Sequence, residues 1–133
     1  MPHLSRKPLP KDTYFQIIDE LDWLMADIKS EAMMKSFLND FFTKTERVRL
    51  AKRLTLALMI IKKFDVNIIT QVLNVSSSTV YNMQQKLNYE NQGFKRGLEK
   101  LIHHERMEAF WKKVNKFIEH NMTRPSIRPR LNP

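Results

Sequence analysis

The chain has 133 residues, no cysteine, two glycines and six prolines, and its formal charge is +9. No proline lies between Pro10 and Pro125, and the glycines are Gly93 and Gly97. Tight β-turns and Gly-rich phosphate loops draw on those residues, so sandwiches, barrels and nucleotide-binding loops are excluded and an all-α fold is expected.

With 42% hydrophobic residues the chain can bury a core, and its length suits one domain. The lack of cysteine rules out a disulfide framework, thiol catalysis and Cys-ligated zinc, and fits a cytoplasmic protein. The opening MPHLSRKPLPKD has no apolar stretch of the secretory type, and no apolar run is long enough for a bilayer. Charge is unevenly placed. Residues 1–36 carry 5 Lys/Arg against 6 Asp/Glu, residues 37–88 carry 8 against 3, and residues 89–133 carry 10 against 5. A positive field over the middle and end of the chain points to a polyanion partner or to solubility alone.

Residues 1–12 read as a Pro-punctuated, flexible arm. Thr13-x-x-Gln16 has the form of a capping box opening a helix, with Tyr14, Ile17, Ile18, Leu21, Leu24, Met25 and Ile28 as its apolar stripe. Phe15 and Trp23 fall off that stripe and imply a second contact surface. Ser30 is expected to cap a helix carrying Met34, Phe37, Leu38 and Phe41.

Thr43-x-x-Glu46 is a second capping box, opening a helix expected from Lys44 to Lys63. Leu50, Ala51 and Leu54 are expected to face inward, with Arg47, Arg49, Lys52 and Arg53 around them. The following LTLALMII is apolar nearly all round, as in helices buried on several sides. A partner subunit is one way to supply that cover.

The segment Asp65–Leu87, DVNIITQVLNVSSSTVYNMQQKL, carries the functional signal. Asp65 suits the N-cap of a short helix through Leu73, with Ile69, Val72 and Leu73 apolar. Asn74 stands where the chain must turn sharply, the best non-glycine choice for a left-handed corner. Val75 would plug the angle, Ser76 would cap the next helix, and Val80, Met83 and Leu87 would face the core. Ser77, Ser78, Tyr81, Asn82 and Gln85 are then exposed. This is the pattern of a helix-turn-helix whose second helix enters the DNA major groove. The serines and free N–H groups can reach phosphate, and Asn and Gln can pair with adenine. No Arg or Lys lies between Asn74 and Gln85, so an A·T-leaning preference is expected. The candidate DNA-binding residues are Ser76, Ser77, Ser78, Thr79, Tyr81, Asn82, Gln85, Lys86, Arg47, Lys52 and Arg53.

Beyond Tyr89–Gly93, apolar residues recur at Phe94, Leu98, Leu101 and Ile102, then at Met107, Phe110, Trp111, Val114, Phe117 and Ile118. The phase slips near His103–His104, which implies two helices or one bent one. The adjacent histidines diverge by about 100° on a helix and read as solvated rather than as a metal pair. His3 and His120 lie in or near the termini. Asp19, Glu20 and Asp22 read as a solvated acidic face. Ser76–Thr79 has no neighbouring base to activate a nucleophile. Lys95, Arg96, Lys100, Arg106, Lys112, Lys113 and Lys116 either extend a phosphate footprint or solvate helices. Arg124, Arg128 and Arg130 belong to a basic, Pro-rich tail spanning 121–133.

Residues 37–101 resemble the Trp repressor-like family. The cues are Thr43-x-x-Glu46-Arg47, Leu50-Ala51-x-Arg53 and Val75-Ser76-x-x-Thr79-Val80, and Leu87–Leu101 is similar to the less characterised branch. The resemblance implies about six helices, an intertwined homodimer and operator binding through paired reading heads. In tryptophan-sensing members the indole lies between two arginines. Arg53 matches the first, but Asn82 stands at the second and bulky Met83 where a small residue is needed. Tryptophan is therefore not the expected corepressor, and Arg53 reads as structural or phosphate-contacting.

The expectation is an all-α protein with a helical domain over 13–120, without cofactor, metal or catalytic residue. Its partners are double-stranded DNA and a second copy, not a membrane, with any small-molecule effector unspecified. Two other readings stay open: a helix-turn-helix module of a mobile-element or recombination protein, and a helical interaction adaptor with incidental charge.

Overall fold

The computed structural model describes residues 7–89, 92–104 and 106–122. All regular structure among them is helical: α1 (Lys11–Asp27), α2 (Glu31–Phe41), α3 (Lys44–Ile61), α4 (Val66–Leu73), α5 (Ser77–Asn88), α6 (Gln92–Ile102) and α7 (Arg106–Met122). The described residues form seven helices where about six are expected, and the phase slip at His103–His104 is a break between α6 and α7 rather than a bend. Residues 1–6 of the arm, with His3, and residues 123–133 of the tail, with its three arginines, lie outside the described residues.

The chain divides into two compact units, one ending at Arg49 and the other beginning at Leu50. In the first, α1 starts earlier than the Thr13 capping box implies. Pro10 takes the N-cap position at φ −53°, ψ 143°, and its carbonyl accepts from Tyr14 N–H at 2.9 Å. Proline's fixed φ suits this entry and Asp12 favours the positive helix end, so Thr13 lies inside the first turn and caps nothing. Ser30 Oγ accepts from Met33 N–H at 3.2 Å and starts α2 as its sequence implies. Neither α1 nor α2 has a buried residue.

The second capping box forms in both directions. Thr43 N–H donates to Glu46 Oε1 at 2.8 Å, and Glu46 N–H donates to Thr43 Oγ1 at 3.1 Å. Those bonds, the Thr43 backbone first and its hydroxyl second, hold the Glu46 carboxyl below its ordinary pKa. Arg47 donates to Asn39 Oδ1 at 3.0 Å.

In the second unit, Leu56, Ala57, Leu58 and Met59 of α3 are all buried, as an all-round apolar segment should be. Leu50, Ala51 and Leu54, expected to face inward, are exposed in this chain. The buried stretch begins one turn later, at Leu56, where α3 enters the core of this unit. The core gathers Ile69 from α4, Val80, Met83 and Leu87 from α5, Leu98 from α6 and Val114 from α7.

Helix α3 stops at Ile61, two residues short of Lys63, because Lys63 adopts φ 64°. Lys63 N–H donates to Ile60 O and Phe64 N–H to Met59 O, the paired bonds of a Schellman ending. Asn74 repeats the device after α4, at φ 55°, ψ 55°, with Val75 N–H donating to Thr70 O at 3.2 Å. These two non-glycine left-handed residues bracket the eight residues of α4. Asn74→Ala is expected to destabilise the fold by about 1 kcal/mol and Asn74→Gly to be neutral or better, read from thermal melts.

Candidate nucleic-acid interface

Asp65 occupies the N-cap position of α4, though its carboxylate makes no capping bond. Ile69 is buried, and Val72, Leu73 and Val75 pack against the core, so Val75 does fill the angle after Asn74. Ser76 then caps α5. Its Oγ accepts from Thr79 N–H at 3.2 Å and lies 2.7 Å from Thr79 Oγ1 and 3.1 Å from Ser78 Oγ. The hydroxyls of Ser76 and Thr79 are thus engaged in the cap itself. The N–H groups of Ser77 and Ser78, at the helix start, have no intrahelical partner.

With Val80, Met83 and Leu87 buried, the opposite side of α5 is fixed. Ser76, Ser77, Ser78, Thr79, Tyr81, Asn82, Gln85 and Lys86 are all exposed. Ser78, Tyr81, Asn82 and Gln85 follow the i, i+3, i+4, i+7 spacing of a single stripe. Ser77, Thr79 and Lys86 flank it. The stripe carries amide, hydroxyl and phenol groups and no charge. Lys86 lies in the last turn of α5, where a cation suits the helix dipole.

The basic candidates are set differently. Lys52 is half-buried and Arg53 exposed on α3, one to two turns before the buried Leu56–Met59 segment. Half-buried Arg47 belongs to the unit ending at Arg49 and has one donor engaged by Asn39. Met83 is 7% exposed and Asn82 exposed, so the positions that would complete an indole clamp hold a core side chain and a surface amide. His103 and His104 are both exposed. Among the described residues no group of three His, Cys, Asp or Glu side chains could hold a metal ion. Nor is any described helix long and apolar enough to cross a membrane.

One set of contacts beside the reading helices has no counterpart in the sequence reading. Trp111 of α7 stacks on Phe64 with ring centroids 5.6 Å apart and planes 20° apart. Lys62 Nζ lies 4.9 Å from the Trp111 ring centroid, and Phe110 meets the same ring edge-on. The periodicity marks Trp111 as apolar-facing, but not that it meets the corner where α3 ends.

Two short helices joined at a left-handed corner, the second capped by serine and polar along its outer stripe, make a helix-turn-helix of the DNA-reading class. Comparison with family models agrees: the Trp repressor protein family matches residues 16–102, and the chain belongs to that family. The family is one of helix-turn-helix DNA-binding regulators rather than enzymes. No curated protein and no solved structure gives a significant match. The matched region ends with α6, so α7 lies beyond it.

Proposed function

We propose that this chain is a sequence-specific, double-stranded-DNA-binding transcriptional regulator, repressor-like, that works as a homodimer. The observation that carries the reading is the uncharged stripe Ser78, Tyr81, Asn82 and Gln85 on α5, opposite Val80, Met83 and Leu87. Such a surface has little to offer a phosphate beyond neutral hydrogen bonds, and much to offer base edges.

Binding divides into two parts. Lys52, Arg53 and Lys86, with the free N–H groups and the Ser77 and Ser78 hydroxyls at the start of α5, supply phosphate contacts and salt-dependent affinity. Tyr81, Asn82 and Gln85 read bases, the amides favouring adenine and the ring a thymine methyl. The arm over 1–12, the helical domain over 13–120 and the basic tail over 121–133 would then serve as approach, reading body and auxiliary anchor. DNA as the partner, with no cysteine in the chain, supports a cytoplasmic setting. It resembles the less characterised branch of its family, and tryptophan does not complete its site.

Selection of bound duplexes from a random pool at two salt concentrations tests this. The expected result is an A·T-leaning site with two half-sites about one helical turn apart, and affinity that falls steeply with salt. Added tryptophan should leave that affinity unchanged. A pool that gains no sequence preference would sink the reading.

A further inference from the structure

Helix α4 is short, with left-handed Lys63 three residues before it and left-handed Asn74 directly after it, so neither neighbouring helix continues into it. Its direction is therefore set by packing. Of Val66–Leu73 only Gln71 is exposed, so neighbours cover α4 nearly all round. Helix α5 leaves α4 through Asn74, so any tilt of α4 is passed to the reading stripe.

Helix α7, beyond the matched 16–102, packs across α4 and sends Val114 into the core. Its Trp111 meets the corner itself: Phe64, the residue after left-handed Lys63, lies flat on the indole, with the Lys62 ammonium over the ring. Among the described residues the buried indole N–H has no hydrogen-bond partner. A buried donor left unpaired is unfavourable, so this site uses the ring's flat face and not its polar atom.

We propose that Trp111 is a positioning residue for DNA reading: by clamping the Lys62–Phe64 corner, α7 sets the angle at which α4 presents α5 to the major groove. This rests on the sequence-specific reading above. It makes α7 a working part of the reading head rather than an appended helix.

The test compares wild type with Trp111→Leu, which keeps apolar bulk but has no flat ring, and with Trp111→Phe, which keeps a flat ring without the N–H. Affinities for the selected duplex and for a random duplex are measured in the full chain, at a temperature where circular dichroism matches wild type. Losing register at one base contact should cut the specific-to-random ratio about tenfold in Trp111→Leu, with random-duplex affinity unchanged. Trp111→Phe should keep the wild-type ratio. An unchanged ratio in Trp111→Leu overturns the proposal, as does an equal fall in both affinities, the mark of a merely structural loss. A wild type with no preferred duplex would instead overturn the sequence-specific function.

Discussion

Replacing Tyr81, Asn82 and Gln85 together by alanine is expected to weaken binding to the selected duplex by about 100-fold or more. Each well-placed amide–adenine pair is worth about 1–3 kcal/mol of discrimination, so two amides alone reach that range. Random-duplex affinity and its salt dependence should stay near wild type, because none of the three side chains carries a charge to exchange for counterions. The fold should also survive. All three residues are exposed, and alanine is a better helix former than asparagine or tyrosine, so the helical dichroism should be unchanged and the melting temperature equal or slightly higher. Titrations by fluorescence anisotropy against both duplexes separate these effects. If the triple variant still prefers the selected duplex, base reading lies elsewhere.

That the stripe is legible in the sequence reflects how local its causes are. The corner at Asn74, the cap at Ser76 and the apolar triplet Val80, Met83 and Leu87 are set within a dozen residues, and the structure follows each of them. Asp65 was legible as a position but not as a bond, since its carboxylate makes no capping contact. The Thr13 box failed because a capping pattern does not reveal that Pro10, three residues earlier, already offers a carbonyl and an extended backbone. Leu50 and Leu54 failed for another reason. Periodicity shows which residues share a face, but not what that face meets, and here the cover on α3 begins only at Leu56. The contact of Trp111 with Lys62 and Phe64 joins positions far apart in sequence, and no spacing rule could pair them. The hydroxyl network around Ser76 shows the same limit at close range: its residue types were legible, but their mutual engagement was not.

The outward-facing leucines bear on assembly. Helix α1 is 17 residues long and amphipathic, yet none of it is buried. Tyr14, Ile17, Ile18 and Leu21 of its stripe are exposed, as are Phe15 at 53% and Trp23 at 67% off the stripe. Phe41, Val48, Leu50 and Leu54 add further exposed apolar side chains. Leu54 also lines an open, largely apolar groove of about 360 Å³ with Gly93, Phe94, Gly97 and Leu101. Soluble monomers rarely show so much apolar surface, and amphipathic helices owe most of their stability to what their apolar face packs against. A second copy of the chain would cover both kinds of surface, and the acidic α1 residues Asp19, Glu20 and Asp22 would suit its basic body. Wild type is therefore expected to be dimeric by light scattering at micromolar concentration, with a melting temperature that rises with concentration. Ile17→Asp with Leu21→Asp changes four side chains across a twofold dimer; Ile17 is 45% and Leu21 37% exposed, so covering the remainder is worth about 0.6–1.3 kcal/mol each, and dimer affinity should fall by about 100-fold or more. DNA affinity should fall with it, since a lone reading head holds a single half-site. A monomeric wild type throughout the micromolar range would end the dimer reading and leave α1 to some other partner.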